Sequence, residues 1–209
     1  MKLISVNIGE PKDIVQGNGI CRSGIDKRPV AGAVQVGRLG LSGDHILSKK
    51  HHGGPDQAVY LYSLDDYRAF DSAALLPGNF GENLTVQGLE SADVRVGTRL
   101  HFSAVVLEVT APRIPCVTFA AHVGEPAFVK VFRQMRRPGL YTRVLQEGEI
   151  GAGEDFGLEA GPADAPTLGE LFELHYNKQA SRAELERALS APIAVRTRQD
   201  YSERLSALG

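Results

Sequence analysis

Residues 99–116 read Arg99-Leu100-His101-Phe102-Ser103-Ala104-Val105-Val106-Leu107-Glu108-Val109-Thr110-Ala111-Pro112-Arg113-Ile114-Pro115-Cys116. The apolar, β-branched content from Arg99 to Thr110 is the strongest strand signal in the chain. Pro112 and Pro115 then stop the strand and stiffen the backbone beyond it, so the Cys116 thiol falls at the rim of the sheet that the strand belongs to. Arg113 places a permanent positive charge close by, and a neighbouring cation favours the thiolate. A thiolate presented in this way suits a nucleophile or a soft-metal ligand. It equally suits the commoner fate of a free cysteine, a small buried hydrophobe. The stretch alone leaves both readings open.

Outward from this segment, the first three-quarters of the chain read as β-rich. Leu3–Ile8 alternates apolar and polar residues, and further short runs rich in Val, Leu and Tyr lie at Ala33–Val36, Gln57–Tyr62, Asn83–Gln87 and Tyr141–Leu145. Glycines separate many of these runs, and 23 of them among many short strands point to a barrel or sandwich rather than a doubly wound sheet. Two short helices are expected to interrupt this region. One starts at Ser63, with Asp65 and Asp66 in its first turn. The other covers about Pro126–Met135, with Phe128, Val131, Phe132 and Met135 on one face. After a Gly/Pro/Ala-rich linker at Gly157–Pro166 come two capping boxes. Thr167-x-x-Glu170 opens Leu168–Tyr176, and Ser181-x-x-Glu184 opens Arg182–Leu189. A third helix is expected from Val195 to Leu208. The expected organisation is therefore a β domain over residues 1–160 and a three-helix segment over 165–209, read as a cap or dimerisation element.

The chain has 209 residues with 43% hydrophobic and 23% charged, the balance of an ordinary globular protein. A formal net charge of −2 argues against nucleic-acid binding, which leaves a basic footprint. No N-terminal signal pattern and no membrane-length apolar run is visible, so a cytoplasmic protein with no membrane partner is expected. Cys21 and Cys116 are the only cysteines, too few for a four-cysteine zinc or iron–sulfur site. Cys21, beside Ile20 and Arg22, reads as structural. Neither G-x-G-x-x-G nor G-x-x-x-x-G-K-[ST] occurs, so any redox chemistry would draw its electrons from a partner.

A second concentration of reactive residues is Gly43-Asp44, followed by Lys49-Lys50-His51-His52-Gly53-Gly54-Pro55. Adjacent histidines on an extended backbone point apart, so one is expected to face a pocket and the other to support the loop. Gly53-Gly54 lets backbone approach a ligand and present N–H groups to an anion. A zinc site built from Cys116, His51 and His52 lacks a spaced ligand set. His101, His122 and His175 read as ordinary, and His45 draws interest only because it follows Asp44. The third group, Asn79-Phe80-Gly81-Glu82-Asn83-Leu84, sets an acid and an amide at the start of a strand.

In this order, these pieces resemble the MOSC family, the molybdenum-cofactor sulfurase C-terminal domain, in its YiiM-like branch. The resemblance rests on Lys27-Arg28-Pro29-Val30, Gly40-Leu41-Ser42-Gly43-Asp44, His51 to Tyr60, Phe80-Gly81-Glu82-Asn83-Leu84, Pro112 to Cys116 and Gly139 to Val144, and extends over about residues 3–156. It implies a mainly β fold, a closed Greek-key-like β-barrel with short helical insertions and the C-terminal three-helix appendage. It implies a molybdenum cofactor of the molybdopterin type, with Cys116 as the protein ligand of the metal. Arg113, Lys27 and Arg143 become candidates for the pterin phosphate or for charge balance. Asp44, His52, Gly53, Gly54 and Asn83 become candidates for cofactor contacts, and His51 and Glu82, with Cys116, for catalysis and proton delivery. The implied activity is reduction of small N-hydroxylated compounds, such as hydroxylaminopurine-type bases, with an external reductase as electron donor and a homodimer as the candidate assembly. The alternative is a cofactor or sulfur carrier without catalysis of its own. One departure stands out: family members often carry an acid where this chain has Ser48.

Overall fold

The computed structural model describes residues 1–47, 52–70 and 76–209. Its strands are β1 (Lys2–Gly9), β2 (Lys12–Gln16), β3 (Gly19–Ser23), β4 (Lys27–Pro29), β5 (Ala33–Gly37), β6 (Gly40–Leu41), β7 (Val59–Ser63), β8 (Leu84–Gln87), β9 (Arg99–His101), β10 (Val106–Ala111), β11 (Leu140–Gln146), β12 (Gly148–Gly151) and β13 (Gly157–Glu159). The helices are α1 (Leu64–Tyr67), α2 (Val117–Val123), α3 (Phe128–Met135), α4 (Leu168–Tyr176), α5 (Arg182–Ser190) and α6 (Val195–Ser206), and a 3-10 turn spans Pro55–Gln57.

Eight strands form one sheet in the order β13-β9-β10-β11-β7-β8-β1-β4, beside a three-stranded sheet β12-β5-β6 and the hairpin β2-β3. The ladders of the large sheet are antiparallel except β7–β8, which is parallel. A parallel neighbour needs a crossover, and here the chain between β7 and β8 includes α1 and the Phe80 turn. Among the described residues no ladder joins β4 back to β13, so the closed barrel expected from the resemblance is not found; the fold is a sheet-dominant mixed one with six helices. Both edge strands have three residues. Pro29 has no N–H to extend β4, and the chain leaves β13 for α4 through a Gly/Pro/Ala-rich stretch.

The long run that signals the fold is two strands, not one. Arg99–His101 and Val106–Ala111 fold back on each other with His101 opposite Val106, and Phe102 N–H donates to Val105 O at 2.9 Å across the turn. Phe102 and Val105 are both buried, so the turn itself belongs to the core. The helix at Ser63 forms as a single turn with Ser63 Oγ accepting from Asp65 N–H. Both capping boxes are present, with reciprocal bonds at Thr167/Glu170 and Ser181/Glu184.

Two cores result. The larger is aliphatic and runs from Leu3, Val6, Leu61 and Leu107 into Leu168, Leu171, Leu185 and Tyr201 of the C-terminal helices. The second is aromatic: Phe80 is fully buried with Tyr62, Tyr67, Phe70, Phe119, Phe128 and Phe132 packed on it at ring separations of 4.7–5.9 Å. Because Phe80 begins the Gly81-Glu82-Asn83 turn and Phe119 sits in α2 just after Cys116, this cluster holds two site-bearing segments against each other.

Candidate functional site

β10 ends at Ala111, and the Pro112–Pro115 segment delivers Cys116 to the N-cap of α2. The Cys116 carbonyl accepts from Phe119 and Ala120 N–H at 3.1 and 3.2 Å, so the residue is fixed by the first turn of the helix it starts. Its side chain faces a cavity of about 360 Å³, whose wall also includes Lys27, His52, Gly53, Gln57, Tyr60, Asn83, Arg113 and Tyr141. Leu47 and Val117, both exposed, also belong to the wall. Among the described residues the wall carries Arg22, Lys27 and Arg113 and no carboxylate.

Burial pushes the Cys116 thiol up. A hydrogen bond from His52, the Arg113 charge and the Phe119 N–H pull it down further, to about 7. The local cost of burying a thiolate is thus outweighed by donors aimed at it. Arg113 is itself buried. Burial opposes its charge, and the facing Tyr141, Tyr60 and Cys116 more than restore it. Its guanidinium donates to Phe80 O and lies over the rings of Phe119 and Tyr60, 4.3 and 4.9 Å from their centroids.

Lys27 is nearly as deep. Burial lowers its pKa, against the partial support of Asp44, with which its ammonium forms a close ion pair. Asp44 does not line the cavity. It accepts from Gly9 N–H at 2.9 Å and from Asn83 Nδ2 at 3.0 Å, and so ties the Lys27 and Asn83 walls together. Asn83 Oδ1 in turn accepts from Tyr60 N–H at 3.2 Å, which ties the residue before β8 to β7 on the cavity wall.

The structure separates the remaining candidates. His52 is the histidine beside Cys116; His51 and Ser48 lie outside the described residues. Gly53 is on the wall with φ +69°, where a Cβ would press on Ile46 Cδ1 at 3.0 Å. Gly54 is exposed and off the wall. Arg143 is also off the wall: it lies 3.0 Å from Asp56 Oδ1 and 3.2 Å from Glu108 Oε1, an ion-pair bridge behind the site.

Glu82 differs most from its expected role. It is fully buried behind the wall and accepts from Gly78 N–H, Phe80 N–H, Thr85 Oγ1 and Tyr67 OH at 2.7–3.1 Å. A carboxylate that accepts from four donors in this way ties the turn together, and Glu82 is not among the described residues of the cavity wall. Burial raises its pKa against those donors.

Sequence reasoning passed over Gln57, Tyr60 and Tyr141, whose tyrosine rings lie 4.8 Å apart on the wall. Their signal was present, an aromatic at each of two strand positions, but the pairing Tyr60–Tyr141 exists only through the β7–β11 register. Cys21, read as structural, also borders the cavity, from β3.

Among the described residues no group of three or more His, Cys, Asp or Glu side chains is arranged to hold a metal ion. A metal bound here would therefore arrive with ligands of its own and take one thiolate from the protein. A group that carries sulfur ligands and an anionic tail fits a wall of one activated thiol and several cations.

A mixed sheet thus holds a proline-framed thiol over a cavity whose wall, among the described residues, carries cations and no carboxylate. The MOSC domain profile matches residues 48–156. The uncharacterized protein YflK of Bacillus subtilis is 32% identical over 90% of this chain and 86% of its own. A Gibberella moniliformis protein named "Reductase" is 32% identical over 75% of this chain but only 29% of its own length. The crystal structure of YiiM from Geobacillus stearothermophilus superposes with a TM-score of 0.80, at 28% identity, over 98% of both chains. The chain belongs to the MOSC domain family, the molybdenum cofactor sulfurase C-terminal family, and within it is YiiM-like.

Proposed function

We propose that the cavity binds a molybdenum–pterin cofactor through Cys116 Sγ and that the protein reduces small N-hydroxylated compounds with electrons from a separate reductase. One observation carries this reading: a thiol brought to about 7 shares a wall with buried cations and, among the described residues, no carboxylate. The likeness to YiiM and to a protein named a reductase adds support. When bound, the cofactor supplies two-electron chemistry able to accept the oxygen of an N–O bond.

The chain's own residues supply the rest. Arg113 and Lys27 receive the anionic part of the ligand, with Asp44 and Asn83 fixing Lys27 in place. Tyr141, backed by the buried Tyr60 ring at 4.8 Å, offers an aromatic wall for a heterocyclic ring. His52, hydrogen-bonded to the Cys116 thiol, is the group within reach to hold a proton for the departing oxygen. In the overall balance, R–NHOH gains two electrons and two protons to give R–NH2 and water, the electrons coming from the partner.

The test is metal and pterin analysis of the protein expressed in a cofactor-competent host, beside Cys116→Ala. Molybdenum near one equivalent in the parent and its loss in the variant is the expected result. Its absence from the parent would overturn the reading. Loaded protein that binds tightly but leaves an N-hydroxylated base unreduced by an artificial donor would instead mark a carrier.

A further inference from the structure

Helix α6 reaches the cavity wall through Arg196. Gln57, the last residue of the 3-10 turn, lines the cavity, and Arg196 Nη1 donates to Gln57 Oε1 at 3.0 Å. We infer that Gln57 is a ligand-binding residue of the cavity, its side-chain amide nitrogen donating to an anionic oxygen of the phosphoryl type, and that Arg196 is the positioning residue that turns the amide this way. The inference rests on the reading above only in taking the ligand to be anionic.

A guanidinium has donors and no acceptor, so the amide group it meets must be the oxygen. That assignment turns the two N–H donors of Gln57 away from Arg196. A Gln side chain that could otherwise flip is thereby committed to donation, the role an oxyanion needs. The geometry is held from both sides. Asp56, next to Gln57, accepts from Val195 N–H at 2.8 Å, which fixes the start of α6. Thr110 Oγ1 donates to Asp56 O at 2.5 Å, and Ala194 N–H donates to Thr110 O at 3.1 Å. Arg143 lies 3.0 Å from Asp56 Oδ1 and donates to Pro192 O at 3.1 Å. The turn just after His52 and Gly53 is thus clamped to a segment outside the MOSC match at 48–156. A neutral donor also fits the charge pattern: with Arg22, Lys27 and Arg113 already on the wall, it adds a directed hydrogen bond to a multi-oxygen ligand.

The full-length, metal-free protein is titrated with inorganic phosphate and, separately, with guanosine 5′-monophosphate, a phosphate monoester on a heterocycle, with binding read by calorimetry. Gln57→Ala is expected to weaken binding about tenfold, the effect of one charge-assisted hydrogen bond. Arg196→Ala should weaken it by a similar factor, the double variant no further, and Arg196→Lys should recover most of the loss. Gln57→Glu, which keeps the Arg196 contact but removes the donor, should weaken it more than Gln57→Ala. Binding of the monoester alone, weakened in the same way, supports a phosphate ester as ligand; equal binding of both supports a free anion. In the parent protein the Gln57 side-chain amide resonances should shift on titration, which keeps the test open if a variant unfolds. Unchanged affinity in Gln57→Ala, losses that multiply in the double variant, or no binding of either compound to the parent would each overturn the inference. Molybdenum analysis is an independent result, so the two proposals can fail separately.

Discussion

Cys116 shows how one side chain acquires chemistry from its neighbours. Its prolines and Arg113 are adjacent in sequence, and these alone indicate a stiff, cation-flanked thiol. What brings it to about 7 also includes His52, which is remote in the chain. Iodoacetamide alkylation of the metal-free protein should therefore rise with pH around a midpoint near 7, rather than the ordinary thiol value of 9.0. His52→Ala should move that midpoint up by about one unit. A midpoint unchanged in the variant would remove His52 from the site. Which of two adjacent histidines faces the thiol could not be read locally, because period-2 alternation only says that they point apart. Glu82 illustrates the opposite case. A carboxylate after a glycine turn looks like a proton donor, yet four donors bury it completely. Glu82→Ala should cost about 3–5 kcal/mol of stability by denaturant titration, because it strands those donors. A loss under about 1 kcal/mol would show that water replaces the carboxylate.

At the level of elements, local rules read well wherever a local bond decides. Thr167 and Ser181 cap their helices as their motifs demand, with Glu170 and Glu184 reaching back to the cap N–H at 2.7 Å. Ser181→Ala should lower stability by about 1 kcal/mol and Ser181→Asp should not; equal losses in both, by urea midpoint, would mean that the cap is incidental. Elements fixed by tertiary contacts read poorly. The β2–β3 hairpin and α2 carry weak local signals, and α2 is a seven-residue helix whose buried Phe119 and Ala120 face the aromatic cluster. The split between β9 and β10 was hidden for the same reason: a turn that buries Phe102 and Val105 has the composition of a strand.

Across the whole molecule, residues of the C-terminal helices share the larger core with the strands. Leu168, Leu171, Leu185 and Tyr201 are almost fully buried in the same cluster as Leu3 and Leu107. A chain ended at residue 160 should lack a cooperative thermal transition, read by circular dichroism; a sharp transition near the parent's would show an independent β domain. Asp66 links the Ser63 turn to Ser91 and Arg137 in the interior. Burial raises its carboxyl from 3.8 to about 6, against the Ser91 hydrogen bonds. The folded state then holds a proton that the unfolded state has released between about pH 4 and 6. Stability should therefore fall as pH rises through that window, by at most about 3 kcal/mol. Asp66→Asn should flatten the profile in urea titrations from pH 4 to 7, and parallel profiles for the two proteins would refute the assignment.

By itself the sequence determined the class of elements, the helix starts set by capping boxes, the strand that ends at two prolines, and the set of short motifs that place the chain in its family. These are properties of neighbours along the backbone, where a side chain and the group it satisfies lie within a few residues. Only the tertiary structure decided that no ladder closes the large sheet among the described residues, that Glu82 is buried under four donors, that His52 meets Cys116, and that Arg196 meets Gln57 from 139 residues away. Each depends on strand register or on burial. Both are settled by the packing of distant segments, which leaves no periodicity in the chain to read.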